Sequence, residues 1–140
     1  MHDRKVVDAS VAVKWYVPEV FESEADSLLS PDIELHAPEL IIPEFSNIIW
    51  KKIRQKEITD TQGQRILNAF MNVDIKLHSH RQLIRSAFVG ATMSDQTVYD
   101  WTYLSLALAL SCEFVTADQR FYNSLRSTSV RNNLVWIRDI

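Results

Sequence analysis

The sequence is poor in residues that cross-link a chain or interrupt its regular structure. Among its 140 residues are one cysteine, two glycines and four prolines. A single cysteine excludes a disulfide within the chain, and a chain of this length needs none, because it can bury roughly 68–70% of its unfolded surface. The scarcity of glycine and proline excludes long low-complexity linkers. One domain over residues 1–140 is therefore expected.

Long apolar runs and a strong charge of one sign are also absent. No apolar stretch approaches the roughly 18 residues that a membrane span requires. Residues 1–5 lack the apolar segment of a secretion signal. These features predict a cytoplasmic protein without membrane contact. The formal net charge is −3, which argues against general affinity for nucleic acids.

Short apolar segments alternate with amphipathic segments along the chain. Strand-like segments cover residues 4–8, 33–37, 73–77, 114–117 and 134–137. Helical patterns cover residues 10–16, 22–30, 39–56, 59–72, 81–88, 94–110 and 120–125. The third strand alternates apolar and polar residues, which is typical of an edge strand, and the helix over 94–110 is apolar nearly all round, which predicts an interior position. This alternation predicts an α/β fold with a mostly parallel sheet covered on both faces.

Four acidic residues stand where such a fold places functional groups. Asp8 and Asp118 end two predicted strands, and Glu44 and Asp100 lie just inside predicted helices. Ligands of parallel α/β sheets bind at the carboxyl ends of strands. Burying an unpaired carboxylate costs several kcal/mol, but hard cations such as Mg²⁺ offset this cost because they prefer oxygen ligands. The four acids therefore predict a metal-dependent hydrolase of phosphate esters.

In this hypothesis Asp8 and Asp118 contact the metal directly, while Asp100 and Glu44 complete the site directly or through water. One or two ions would activate water and stabilise charge on the phosphate. Without metal, mutual repulsion should raise the pKa of at least one carboxyl. Each acid also has a structural interpretation, since Asp8 and Asp118 could cap the helices that follow them and Glu44 could be a first-turn acid favoured by the helix dipole.

The segments around these acids carry four motifs in a characteristic order. They are Val6-Val7-Asp8-Ala9-Ser10, Pro43-Glu44-Phe45, Tyr99-Asp100-Trp101-Thr102-Tyr103 and Val115-Thr116-Ala117-Asp118. Together they resemble the PIN-domain family, in particular its VapC-type ribonuclease toxins, over nearly the whole chain. The resemblance implies a three-layer α/β/α domain with four to five strands, and catalytic, metal-binding roles for all four acids. It also implies cleavage of single-stranded RNA with Mg²⁺, or Mn²⁺ in its place, a homodimer, and an antitoxin that blocks the active site.

One departure from the family pattern concerns a turn. Where the family often has a glycine before the fourth strand, this chain has Ser111-Cys112-Glu113. Because all four acids are present, the chemistry is not affected. The alternative is a catalytically silent PIN-like module that binds RNA or a protein. A nucleotide-binding or receiver-type domain is disfavoured, since only Gly63 and Gly90 are available and no Gly-x-Gly-x-x-Gly loop occurs.

Two hydroxyl residues lie close to the strand-end acids. Ser10 and Thr116 are each two residues from an acid, and either hydroxyl is predicted to orient a carboxylate or a metal-bound water. A capping serine and an ordinary strand threonine are the structural alternatives.

Basic residues near the acids are candidates for RNA binding. Lys51 and Lys52, with Arg54 and Lys56, form a basic segment that is either a solvated face or a surface for RNA or an acidic antitoxin segment. Arg120 is a candidate phosphate ligand or a structural ion-pair partner.

The histidines and the aromatic residues give weaker signals. His2, His36, His78 and His80 lack the spacing of metal ligands, so they are predicted at the surface and no zinc is assigned. Five aromatic residues are predicted to stack on RNA bases or to pack against a protein partner: Trp15, Tyr16, Phe21, Trp50 and Trp101.

Overall fold

The centre of the protein is a five-stranded parallel sheet. In the computed structural model, which describes residues 3–140, the strands are β1 (Asp3–Val7), β2 (Ile33–Pro38), β3 (Ile75–His78), β4 (Glu113–Thr116) and β5 (Leu134–Trp136). They are ordered β3-β2-β1-β4-β5, and every neighbouring pair is parallel. The predicted mostly parallel sheet is confirmed, and the third strand lies at an edge as its alternating pattern indicated.

Helices flank the sheet and give the three-layer α/β arrangement. They are α1 (Ala9–Ala12), α2 (Glu22–Ser27), α3 (Ile41–Arg54), α4 (Asp60–Met71), α5 (Ile84–Ser94), α6 (Val98–Leu110) and α7 (Gln119–Leu125). Short 3₁₀ turns cover Val13–Trp15, His80–Gln82, Arg131–Asn133 and Ile137–Asp139. Within residues 3–140, none of these helices has the length and apolar character needed to cross a membrane.

The most apolar helix, α6, lies in the interior as predicted. Its residues from Trp101 to Ala107 are all buried, and it contacts β1, β2 and β4 as well as α5. Tyr103 stacks on Phe114 of β4 with ring centroids 5.5 Å apart. Val6 and Val7 at the centre of β1 are fully buried. This packing places α6 against the central strands of the sheet. Asp8 and Asp118 follow the carboxyl ends of two of these strands, β1 and β4.

The boundary between α5 and α6 differs from the prediction. Ser94 was expected to begin the second helix, but it ends α5, and Thr97 caps α6 by accepting the N–H of Asp100. The Ser94 hydroxyl instead donates to the carbonyl of Gly90 and accepts the indole N–H of Trp101. In this position the Ser94 oxygen accepts from the side chain of Trp101 and not from the first backbone N–H groups of α6, so Thr97 caps that helix instead.

The position of His36 differs from the surface position predicted for the histidines. His36 is buried rather than exposed, with 5% of its surface accessible, because its ring contacts His78 at 2.9 Å and Glu34 at 2.7 Å; His2 lies outside the described residues.

Ser111, in the turn where the family often has glycine, has the left-handed conformation (φ 54°). Glycine adopts that conformation without strain, so the departure from the family alters this turn alone.

The strand order has one consequence for function. From β1 the chain passes to β2 on one side, and later crosses to β4 on the other side. The direction of the sheet order therefore reverses between β1 and β4, and the crevice at their carboxyl ends is where open α/β sheets bind ligands. Asp8 and Asp118 follow these two strands.

Candidate active site

All four candidate acids line one cleft at the carboxyl ends of β1 and β4. The cleft has a volume of about 250 Å³ and is lined by Asp8, Ala9, Ser10, Glu44, Asn47, Ile48, Asp100, Tyr103 and Asp118. A larger depression of about 580 Å³ lies at the opposite, amino-terminal ends of the same strands. Two of its carboxylates, Glu34 and Glu113, are already paired with Arg4 and Lys5, so the smaller cleft is the candidate site.

Asp8 is held by three hydrogen bonds and is only 8% exposed. Its Oδ1 accepts the hydroxyl of Ser10 at 2.6 Å and the N–H of Val11 at 3.1 Å. Its Oδ2 accepts the hydroxyl of Thr116 at 3.0 Å. The contact with Val11 caps α1, so the capping interpretation of this residue is compatible with its place in the cleft.

The hydroxyl of Thr116 connects the two strand-end acids. It is fully buried, donates to Oδ2 of Asp8 and accepts the N–H of Asp118 at 3.0 Å. Asp118 in turn caps α7 by accepting the N–H of Phe121 at 3.1 Å through Oδ1. No described residue donates to Oδ2 of Asp118, so this oxygen is available to a ligand. Thr116 therefore fixes Asp8 and the backbone of Asp118 relative to each other.

Two helices bring the other two acids to the cleft. Asp100, in the first turn of α6, accepts the hydroxyl of Thr97 at 3.1 Å. Glu44, in the first turn of α3, accepts the hydroxyl of Tyr103 through Oε1. Tyr103 is a site residue that was not predicted from the sequence. The available signal was its position three residues after Asp100, which places both on one helix face.

Burial raises the pKa of three of the four carboxyls. The pKa of Asp8 rises to about 6, chiefly because the side chain is removed from water, although its three hydrogen bonds oppose the rise and the Glu44 charge adds slightly to it. Burial also raises the pKa of Glu44 and Asp100, with smaller contributions from Asp100 and Asp118 respectively. The predicted rise is confirmed, but burial causes more of it than repulsion between the acids.

The cleft fits a hard divalent cation held partly through water. None of the four carboxylates forms an ion pair with a basic residue in the described part of the chain, so their charge is uncompensated by protein. Within residues 3–140, no three acidic, histidine or cysteine side chains converge as a ready-made metal cage. Mg²⁺ retains several waters and takes only one or two carboxylates directly, which suits acids spread around a cleft.

The structure separates the basic residues that were predicted to contact RNA. Lys51 is exposed and lies on the same face of α3 as Glu44, seven residues further along. Lys52 points elsewhere, and its ammonium pairs with Glu19 at 3.5 Å and Glu57 at 3.3 Å. Arg120 is exposed on α7, two residues after Asp118, and forms no ion pair with a described residue.

Comparison of the sequence with known families and proteins gives a consistent result. The sequence profile of the PIN domain matches residues 5–124. Ribonuclease VapC3 of Pyrobaculum aerophilum is 31% identical over 117 residues, which is 82% of this chain and 89% of that protein. Ribonuclease VapC9 of Mycobacterium tuberculosis is 26% identical over 115 residues, which is 82% of this chain and 86% of that protein.

Solved structures share the fold at low sequence identity. The crystal structure of the P. aerophilum protein PAE2754 has a TM-score of 0.69 at 19% identity, covering 99% of this chain and 94% of the other. A toxin–antitoxin complex from Klebsiella pneumoniae gives a TM-score of 0.62 at 11% identity, covering 94% and 95%. These structures support the α/β arrangement independently of close sequence relationship.

The buried Asp8 carboxyl predicts a pH dependence of stability in metal-free protein. Its pKa is near 3.8 when unfolded and about 6 when folded, so between these values the folded state binds more protons and stability falls as pH rises. We expect the wild type to lose about 2 kcal/mol of unfolding free energy relative to Asp8→Asn between about pH 4 and pH 7. Urea unfolding in EDTA measures this, and a difference that stays constant with pH would contradict it.

Proposed function

This chain belongs to the PIN-domain family, and we infer that residues 1–140 form one domain that acts as an endoribonuclease, the toxin of a toxin–antitoxin pair. The relatives named above are ribonucleases of the VapC type. The observation that carries the inference is the cleft itself. Four carboxylates from separate elements line it without an ion pair to any described basic residue, which is an arrangement suited to a cation and a phosphate rather than to fold stability.

We propose that Asp8, Glu44, Asp100 and Asp118 hold Mg²⁺, with Mn²⁺ able to replace it. The bound cation would supply charge stabilisation on the phosphate and activation of the attacking water. The residues of the chain orient this site. Ser10 and Thr116 fix both oxygens of Asp8, and the Tyr103 hydroxyl holds Oε1 of Glu44, so these two carboxylates are oriented before the cation binds.

The proposed substrate is single-stranded RNA, which an open cleft on the protein surface can accept. A flexible single strand bends to bring one phosphate to the four carboxylates, whereas neighbouring phosphates need cations outside the cleft. Among the residues predicted for this role, Lys51 and Arg120 are exposed and free of ion pairs with described residues. Lys52 is left out of the proposed RNA contacts, because its ammonium is paired with Glu19 and Glu57.

A protein antitoxin is the expected partner. One structural neighbour is a toxin–antitoxin complex, and another is VapBC2 of Rickettsia felis, which was solved with a DNA fragment from the promoter. We propose that the antitoxin of this chain covers the carboxylate cleft. An acidic cleft with basic residues at its margin can accept both basic and acidic groups of such a partner.

We also propose that the protein is a homodimer. Helix α5 supports this, because four of its apolar side chains are exposed: Ile84, Phe88, Val89 and Met93. Light scattering should give twice the chain mass of 16.2 kDa, and Phe88→Glu should shift the protein toward monomer, since a buried charge opposes association. A monomeric wild type at micromolar concentration would refute the dimer.

The nuclease is tested by cleavage of a mixed-sequence single-stranded RNA with purified, antitoxin-free protein. We expect cleavage with Mg²⁺ or Mn²⁺, none in EDTA, and a loss of at least about 100-fold with Asp8→Asn, because the cation site loses a charged ligand. Asp95→Asn is the matched control. It removes the same charge from an exposed residue at the end of α5 and should leave the rate unchanged.

The possible results separate the nuclease from a silent binding module. Cutting that persists in EDTA, or in Asp8→Asn, would contradict the proposed mechanism. Absence of cutting, together with a melting temperature that Mg²⁺ fails to raise, would favour the silent module, since a ligand that binds the folded state must stabilise it.

Thr116 provides a separate test of how the site is held. We expect Thr116→Val to weaken Mg²⁺ binding by about 10- to 100-fold, because it frees Oδ2 of Asp8 and the N–H of Asp118 together. Thr102→Val is the control, since Thr102 is also buried but donates only to the carbonyl of Val98 in its own helix. Calorimetric titration with Mg²⁺ measures the affinity. Equal weakening in both variants would show a general loss of packing instead.

A further inference from the structure

The helix that carries Glu44 continues beyond the cleft as a basic and aromatic surface. Four residues of α3 form it, and we call them the α3 strip: Asn47, Trp50, Lys51 and Arg54. Asn47 lines the cleft together with Glu44. At 3.6 residues per turn, Lys51 lies one turn beyond Asn47 and about 10 Å from Glu44 along the helix. The strip therefore begins at the site of chemistry and leads away from it.

The cationic groups of the α3 strip are uncommitted. Neither Lys51 nor Arg54 forms an ion pair with a residue in the described part of the chain. The neighbouring Lys52 contrasts with them, since it is paired with Glu19 and Glu57. Lys51 and Arg54 can therefore contact phosphates without breaking an existing ion pair with a described residue.

Trp50 is the aromatic part of the α3 strip, and the fold does not require it for packing. It is 52% exposed, and the guanidinium carbon of Arg54 lies 5.2 Å from its ring centroid. In contrast, the indole N–H of Trp15 donates to the carbonyl of Ala25 at 2.8 Å, and that of Trp101 donates to Ser94 at 2.7 Å. Of these tryptophans, the one beside Arg54 keeps an open ring surface.

We propose that the α3 strip binds the nucleotides next to the cleavage position of the RNA. In this arrangement Lys51 and Arg54 contact phosphates, and a base stacks on the exposed face of the Trp50 ring, whose other face Arg54 covers. Single-stranded nucleic acids bind proteins through this combination of a basic track and an aromatic platform. The inference rests on the proposed function, because RNA is the substrate that the cleft would receive.

RNA binding is measured in EDTA with the Asp8→Asn chain, which prevents cleavage. A short fluorescent mixed-sequence oligoribonucleotide is titrated at several salt concentrations, and its anisotropy gives the dissociation constant. Loss of the stacking platform in Trp50→Leu should weaken binding at least about five-fold without changing the salt dependence. Loss of one phosphate contact in Lys51→Gln should make the negative slope of log K (association) against log salt less steep by about 0.7.

The matched control is Lys52→Gln, which removes the same charge from the same helix. We expect it to retain both the affinity and the salt slope, because its ammonium is held by two glutamates. Binding that is equally weakened in Lys52→Gln and Lys51→Gln would overturn the strip in favour of a general charge effect. Unaltered binding in Trp50→Leu and Lys51→Gln would also overturn it.

These results are separable from the test of the nuclease. If the wild type cleaves RNA while both strip variants bind normally, the strip is wrong and the proposed function stands. If the wild type does not cleave but the strip variants lose affinity as expected, the strip stands as a site for RNA on a non-cleaving protein. An Asp8→Asn chain that binds no oligoribonucleotide would overturn the strip.

Discussion

The burial of the Asp8 carboxylate is the constraint on which the candidate site depends. An ionised carboxylate in this position is costly unless several donors satisfy it, and the protein provides three, from Ser10, Val11 and Thr116. These donors fix its orientation but supply no compensating charge. Because three further carboxylates line the same cleft, their mutual repulsion destabilises the charged site, and the proposed cation would reduce that repulsion. The same burial that disfavours the charged apo-form therefore favours metal binding.

The residues that form the site also stabilise the elements around it. Asp8 caps α1 and Asp118 caps α7, each through Oδ1. In Asp118 the second oxygen remains without a described donor, so one carboxylate can cap the N-terminus of a helix and still bind a ligand. The structural and functional interpretations of such residues are thus not exclusive, because a carboxylate has two oxygens with separate lone pairs. Capping also keeps the strand-end acids rigid, which is what a preorganised metal site requires.

In the proposed arrangement, helix α3 carries both a residue of the cleavage site and the residues that bind RNA. Its first turn presents Glu44 to the cleft, where Tyr103 of α6 holds it. Its later turns carry Lys51, Arg54 and the exposed Trp50 away from the cleft. The rise per residue of an α-helix is constant. A nucleotide bound by the outer turns would therefore lie at a defined distance from the carboxylates. The proposed α3 strip and the proposed nuclease site are in this sense two ends of one rigid element.

Several features of the fold and the site followed from the sequence because they depend on neighbours along the chain. Apolar β-branched runs such as Val6-Val7 indicated buried strands, and the all-round apolar pattern indicated the interior position of α6. The four acids were predicted as site residues from their positions just after strands or just inside helices. Boundaries were less certain, as Ser94 shows, because a serine can bond backward as well as cap forward. What only the tertiary structure decided was which distant groups meet. Thr116 donates a hydrogen bond to Asp8, 108 residues away in sequence, and Tyr103 donates one to Glu44. Among the described residues, Lys52 forms ion pairs and Lys51 forms none. These contacts arise from strand order and helix packing, which local sequence patterns do not encode.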